Sequence, residues 1–178
     1  MKVVYLFLFA LLVGCNSGNR TLKREINNTL GRTINWENGL EFRGNNYEKG
    51  KEFFDSAQFI ILNYIDTSGC EECKLHLFDW GRLQRDLDTL NSNVKICFVV
   101  NSNNIENIER LCRIHRFSNP ILYDSVGVFI KGNRIPKVSG FQTLLLDSSN
   151  KVIGVGSPLY NGELRRLYYE LFQTYYNE

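Results

Sequence analysis

Continuous apolar runs alternate with amphipathic stretches through the middle of the chain. The runs FIILNYI (59–65) and VKICFVVN (94–101) are apolar at successive positions, which predicts strands buried on both faces of a sheet. Between them, from Glu71 to about Leu90, apolar residues recur every three to four positions and predict a helix. A second helix is predicted over 104–117. Its apolar face is formed by Ile105, Ile108, Leu111, Cys112 and His115.

The last third of the chain changes to short strands. ILYD (121–124) predicts a short strand, and residues 141–157 predict a strand, a turn at 147–150 and another strand. Asn161 is typical of a helix N-cap, and the helix after it has an apolar stripe predicted at Leu164, Leu167, Leu171 and Tyr175. The order β–α–β–α–(β)–β–β–α predicts an α/β domain whose mixed central sheet is covered by helices on both faces.

The N-terminus has a different pattern. MKVVYLFLFALLVGC is one lysine followed by a short apolar run, too short to span a bilayer but typical of a secretory signal. LVGC resembles the lipobox of bacterial lipoproteins, which makes Cys15 the expected lipidation site. A plain signal peptide cleaved elsewhere is the alternative. We therefore predict a lipoprotein signal at 1–14, a polar tether at 15–35 and the folded domain at 36–178.

Composition limits the functions to consider. Lys and Arg (21) nearly balance Asp and Glu (19) among 178 residues, and a formal charge of +2 gives no basic face for nucleic acid. An exported protein works where disulfides form and persist. Cys97 and Cys112 fall among apolar neighbours and are predicted to be core thiols, with a bridge between them as the alternative.

The motif CEEC directly follows a predicted strand and opens a predicted helix. Free N–H groups at a helix start stabilise a thiolate, so Cys70 is the predicted nucleophile. Cys73, one turn further on, is placed to resolve a mixed disulfide. The alternatives are a structural disulfide and a metal site including His76. A closed zinc site usually needs four ligands, and the sequence offers few, so no metal is expected.

The strand–CxxC–helix order with a terminal β–β–α unit resembles the thioredoxin fold over residues 53–178. CEECK is similar to the common C-x-x-C-K motif of thioredoxins. NPILYDSVG and GFQTLLLDSSNKVIGVGSP resemble later segments of the TlpA/ResA group of membrane-anchored thiol–disulfide oxidoreductases. The resemblance implies that Gly140, Phe141 and Gln142 form the loop that faces the cysteines and binds substrate.

Three positions depart from that family pattern. Gln142 stands in place of the cis-proline, and we expect a trans peptide there because a non-proline cis bond costs about 2.5–4 kcal/mol. Tyr64 stands in place of a buried acid, and Gly69 in place of a tryptophan. The central Glu71 and Glu72 oppose thiolate formation at Cys70, which favours a reductase.

The expected function is therefore thiol–disulfide exchange on protein substrates, with no cofactor and with a membrane electron donor, as the resemblance implies. The protein is expected to be a monomer in a bacterial cell envelope, anchored through lipid on Cys15 and facing the periplasm. Asn16 after Cys15 slightly favours the outer membrane. The alternatives are a binding module that uses the same groove for a partner, and a metal carrier.

Overall fold

A mixed β-sheet forms the centre of the protein. The computed structural model describes residues 17–36, 40–42, 54, 56–66, 70–90 and 93–176. Within this part, six strands lie in the order β1-β4-β3-β2-β5-β6. Their bounds are β1 Glu41–Phe42, β2 Phe59–Asp66, β3 Val94–Asn101, β4 Ile121–Tyr123, β5 Thr143–Asp147 and β6 Val152–Val155. β2, β3 and β4 are parallel, whereas β1, β5 and β6 pair antiparallel to their neighbours.

Helices supply the layers around this sheet. Their bounds are α1 Ser17–Thr29, α2 Glu71–Leu75, α3 Leu77–Thr89, α4 Ile105–His115, α5 Val128–Asn133 and α6 Gly162–Tyr176. Because side chains alternate along a strand, each face of β2 belongs to a different core. Phe59, Ile61 and Ile65 pack with α3, α4 and α6. Ile60, Leu62 and Tyr64 pack on the opposite face, with Phe129 of α5.

The predicted fold class is confirmed, and so are the two buried central strands, the late hairpin and the cap at Asn161. The N–H of Leu164 donates to Oδ1 of Asn161 over 3.0 Å. The stripe predicted on α6 is wrong in part, because Leu167 is 52% exposed, whereas Tyr168 and Phe172 are buried. The aromatic residues therefore form the core face of this helix.

The N-terminal segment is more ordered than the predicted tether. Residues 17–29 form α1, and the chain after it attaches to β6 through backbone hydrogen bonds. Gly31 N–H donates to the Val152 carbonyl over 2.8 Å, and Val152 N–H donates to the Arg32 carbonyl over 2.7 Å. Ile34 is buried in the second core. The folded part thus begins before the predicted boundary at 36.

The predicted signal at 1–14 and lipidation site Cys15 lie outside the described residues. In the described part, no helix combines the length and apolar character needed to cross a membrane.

Candidate redox site

The cysteine pair lies where the chain passes from the centre of the sheet into a helix. β2 ends at Asp66, and Cys70 caps the start of α2. Cys70 and Cys73 are bonded as a disulfide, with their Cα atoms 5.3 Å apart. The backbone N–H of Cys73 donates to Sγ of Cys70 over 3.2 Å. Both cysteines are exposed, so the arrangement can exchange a disulfide with another molecule.

The helix predicted from Glu71 to Leu90 is interrupted after its first five residues. His76 adopts the left-handed conformation (φ 44°, ψ 38°) and separates α2 from α3. Its ring contacts that of Tyr160 edge-on, with centroids 5.4 Å apart, and its Nδ1 lies 3.7 Å from Oδ2 of Asp79. Because α2 is so short, its macrodipole is small, and the N–H of Cys73 is the direct stabilising donor at Cys70 Sγ.

A cleft of about 690 Å³ opens beside Cys73. The predicted loop residues Gly140, Phe141 and Gln142 line the same cleft as Cys73. Tyr64 and Asp66 at the end of β2 also line it, together with Ile26, Lys74, His76, Trp80, Lys137, Tyr160 and Leu164. The tertiary structure therefore brings together the cysteine pair and a loop that is about 70 residues away in sequence.

The loop that contains Gln142 is fixed to the central strand. Residues 139–141 form a 3-10 turn, and the carbonyl of Gln142 accepts from Tyr64 N–H over 3.0 Å. Beneath it, the Thr143 hydroxyl donates to Oδ1 of Asn63 over 2.9 Å. No peptide bond in the described part is cis, in agreement with the trans peptide expected at Gln142. The backbone carbonyl and N–H of Gln142 are thus both hydrogen-bonded within the protein.

Tyr64 is paired with a buried acid from another part of the chain. Asp124 is 0% exposed and follows β4. Its carboxylate accepts from the N–H groups of Phe129 (3.0 Å) and Ile130 (3.1 Å) and from the Tyr64 hydroxyl (3.3 Å). Burial and the adjacent Asp124 raise the pKa of Tyr64, so its phenol stays neutral. Sequence reasoning did not identify Asp124, although an aspartate between a strand and a helix is a signal for capping.

The remaining cysteines are core thiols, as predicted. Both are free: Cys97 is fully buried in the second core, and Cys112 is half-buried against the first. The sheet separates them, so they do not form the alternative bridge. Burial raises the pKa of Cys97, and burial together with Glu109 raises that of Cys112 to about 11. Neither thiol is suited to act as a nucleophile at neutral pH.

The histidines contact acidic side chains near the cysteine pair. His115 Nε2 of α4 lies 3.8 Å from Oε1 of Glu72, the residue before Cys73. Among the described residues, no three His, Cys, Asp or Glu side chains lie close enough together to hold a metal ion.

The chain is similar to known proteins in its fold and not in its sequence. No protein-family model matches the chain, and no curated protein matches its sequence. Solved structures do match. A cysteine-to-serine mutant of PrxQ from Xylella fastidiosa has a TM-score of 0.54 at 12% identity, covering 80% of this chain and 96% of its own. A proposed thiol-disulfide oxidoreductase from Bacteroides vulgatus has a TM-score of 0.53 at 15% identity, covering 68% of this chain and 79% of its own.

The chain has a thioredoxin-like fold. A proposed thiol:disulfide interchange protein DsbE from Chlorobium tepidum is similar over 63% of this chain and 78% of its own, with a TM-score of 0.50 at 11% identity. At such identities these similarities show the fold alone. In this thioredoxin-like chain, Cys70 and Cys73 lie at disulfide distance at the start of a helix.

Proposed function

We propose that the protein is a thiol–disulfide oxidoreductase acting on protein disulfides through Cys70 and Cys73. The observation that carries this proposal is an exposed Cys70–Cys73 disulfide at a helix start, with Cys73 lining a cleft of about 690 Å³. A structural disulfide needs neither this exposure nor this cleft. The similar proteins from Bacteroides vulgatus and Chlorobium tepidum carry the names thiol-disulfide oxidoreductase and thiol:disulfide interchange protein.

The catalytic cycle starts from the dithiol. The Cys70 thiolate attacks a substrate disulfide, forms a mixed disulfide and releases the first substrate thiolate. Cys73 loses its proton and attacks Sγ of Cys70, which releases the second substrate thiolate and leaves the Cys70–Cys73 disulfide. Two electrons and two protons pass to the substrate. The N–H of Cys73 donates to Sγ of Cys70 in the disulfide form, and the same donor would stabilise a thiolate at Cys70 after reduction.

The reductase direction is favoured by the charges around the pair. Glu72 is 67% exposed and lies between the cysteines, where a carboxylate disfavours a thiolate. Because α2 has only five residues, its macrodipole offsets little of the destabilising effect of Glu72 on the thiolate. A reduced pair whose thiolate is weakly stabilised has a more negative potential and passes electrons to substrates more readily. A membrane electron donor is the proposed source of those electrons.

The proposed setting is a bacterial cell envelope, with the domain facing the periplasm and anchored through lipid on Cys15, by resemblance to the TlpA/ResA group. The apolar start of the chain and the sequence LVGC support this setting. Metabolic labelling with a radioactive fatty acid tests it: label is expected in the protein and absent from the Cys15→Ala variant.

Insulin reduction with a thiol donor tests the activity. The wild-type protein is expected to precipitate the insulin B chain, whereas Cys70→Ser and Cys73→Ser are expected to be inactive. Cys112→Ala is the matched control, because it removes a cysteine outside the pair and is expected to remain active. Wild-type inactivity towards insulin and towards 2-hydroxyethyl disulfide would reject the proposal.

A binding module is the second candidate, and the position of Gln142 favours it. The Gln142 carbonyl is occupied by Tyr64, so this side of the cleft offers less backbone for pairing with a substrate. The insulin assay separates the two functions. A protein that binds an unfolded polypeptide equally well with and without Cys70, and reduces none, is a binding module.

A further inference from the structure

A second cavity, of about 570 Å³, lies between α1 and the segment that follows α5. Four cationic side chains line it, and we call this cavity the basic groove. The four are Arg32, Lys131, Arg134 and Lys137. Arg32 is half-buried and the other three are exposed to solvent. They come from two regions of the chain that are about 100 residues apart, so only the fold brings them together.

The cations of the basic groove have no ionic partner in the described part of the chain. In that part of the chain, Arg166 pairs with Glu163 and Glu170, and His76 and His115 contact carboxylates; none of these three basic residues lines the groove. Glu25 also lines the groove, but its buried Oε2 has no hydrogen-bond partner in the described structure. Four positive charges against a single carboxylate repel each other. An anionic ligand relieves this repulsion.

The wall of the groove is apolar as well as basic. Ile130, Ile135 and Pro136 line it alongside the cations, and Ile135 and Pro136 are buried. A groove that combines cations with an apolar wall suits a polypeptide carrying Asp or Glu next to apolar residues better than it suits a small inorganic anion.

The basic groove adjoins the redox cleft. Lys137 lines both cavities, and the neighbouring residues Glu25 and Ile26 of α1 line the groove and the cleft respectively. A polypeptide whose cysteine is in the cleft therefore has the basic groove beside it. This adjacency favours a segment of the protein substrate as the occupant over an anionic membrane surface.

We propose that the basic groove binds an acidic segment of the protein substrate close to its reactive disulfide. This inference rests on the proposed function and adds the class of substrate to it. Binding in the groove raises the local concentration of the disulfide at Cys70 and leaves the exchange chemistry unchanged. It is therefore expected to lower KM and to leave kcat unaltered.

Two cyclic peptides, each closed by one disulfide, test the proposal. They differ only in their flanks, which carry Asp and Glu in one peptide and Asn and Gln in the other. At low salt the wild-type protein is expected to show a KM about three- to tenfold lower for the acidic peptide. Salt at about 0.5 M is expected to remove most of this difference, because it screens exposed charges.

Two double variants give the matched comparison. Lys131→Gln/Arg134→Asn removes two cations from the groove, and asparagine suits the left-handed backbone of Arg134 (φ 51°). Arg82→Gln/Arg85→Gln removes two exposed cations of α3 that line neither cavity. The groove variant is expected to lose the preference for the acidic peptide, whereas the α3 variant keeps it. Both should reduce the neutral 2-hydroxyethyl disulfide at the wild-type rate.

Equal KM values for the two peptides, or an equal loss of preference in both variants, would overturn the proposal. Binding of the wild type and of both variants to vesicles that contain anionic lipid is measured as a further test. If the groove variant loses vesicle binding but keeps the peptide preference, the groove faces a membrane and the proposal is wrong. If the wild type reduces no disulfide at all, the proposed function fails. Anisotropy of labelled peptides, with the acidic one bound more tightly, then tests the groove separately.

Discussion

Glu72 is placed to control the reactivity of the cysteine pair. It lies inside the CxxC motif, it is 67% exposed, and its carboxylate is 3.8 Å from His115 of α4. The sequence showed that a carboxylate lies beside the thiols. The contact with His115 depends on the packing of α4 beside α2, because 43 residues separate the two side chains. An exposed carboxylate is screened by water, so its effect on Cys70 is expected to be modest.

Glu72→Gln is expected to speed the reaction of the reduced pair with iodoacetamide at pH 7 by about two- to threefold. Removing the negative charge stabilises the Cys70 thiolate and increases its population. The reduction potential, measured against glutathione, is expected to shift in the oxidising direction. Glu106→Gln, on the first turn of α4, is the control and should change neither quantity. A slower reaction of the Glu72 variant would contradict the argument.

Asp124 stabilises the fold next to the cleft. Asp124→Ala is expected to lower the free energy of unfolding by about 2–4 kcal/mol, because it leaves one buried and one partly buried N–H group and the Tyr64 hydroxyl without an acceptor. Tyr64→Phe removes one hydroxyl only and is expected to cost about 1 kcal/mol. Urea denaturation of the oxidised proteins measures both. Equal losses for the two variants would show that the contacts with Phe129 and Ile130 contribute nothing.

At the scale of the elements, the break at His76 separates α2, the short helix that contains Cys73, from the longer helix α3. Leu77, Trp80, Leu83 and Leu87 are buried and hold α3 against the sheet. The apolar period predicted this face correctly, since it depends only on local spacing. It did not predict the break, because histidine adopts the left-handed conformation only occasionally and the apolar spacing continues through this position. Leu75 before the break and Leu77 after it are both buried in the first core.

His76→Gly and His76→Ile test whether the left-handed backbone at residue 76 is strained for a residue with a side chain. Both variants lose the ring contact with Tyr160, so their difference isolates the effect of the left-handed conformation. Isoleucine is expected to be less stable than glycine by about 1–2 kcal/mol, because a β-branched residue is strained at a positive φ. Thermal unfolding of the two proteins measures the difference. Equal stability would show that α2 and α3 can join into a continuous helix.

At the scale of the whole molecule, α1 lies beside a core that other elements form. Among its described side chains only Thr29 is buried, while Ile26 lines the redox cleft and Glu25 the basic groove. The backbone attachment to β6 begins at Gly31, after the helix. The helix therefore shapes both cavities without contributing much to the core.

A chain that starts at Gly31 is expected to fold and to unfold in a single cooperative transition. Loss of the half-buried Leu22 and Ile26 should lower its stability by about 1–3 kcal/mol. Its reaction with 2-hydroxyethyl disulfide is expected to match that of the intact protein, because both cysteines are retained. A chain starting at Gln58 is the comparison and should not fold, since it also lacks Ile34 and Ala57 of the second core. A non-cooperative transition of the chain that starts at Gly31 would show that the folded core needs α1.

The sequence by itself determined the central strands, the helices α3, α4 and α6, the late hairpin and the CxxC motif. Each depends on apolar spacing or turn chemistry within a few residues. Tertiary structure decided which distant residues meet: the loop 140–142 lines the cleft with Cys73, Tyr64 pairs with Asp124, and four cations line the basic groove. These residues are far apart in the chain, and no local pattern relates them. Tyr64, Asp124 and the loop lie near one another because parallel β2, β3 and β4 direct their carboxyl ends to the same edge of the sheet, and because β5 returns antiparallel beside β2. Arg32 reaches the basic groove because the chain after α1 is hydrogen-bonded to Val152 of β6.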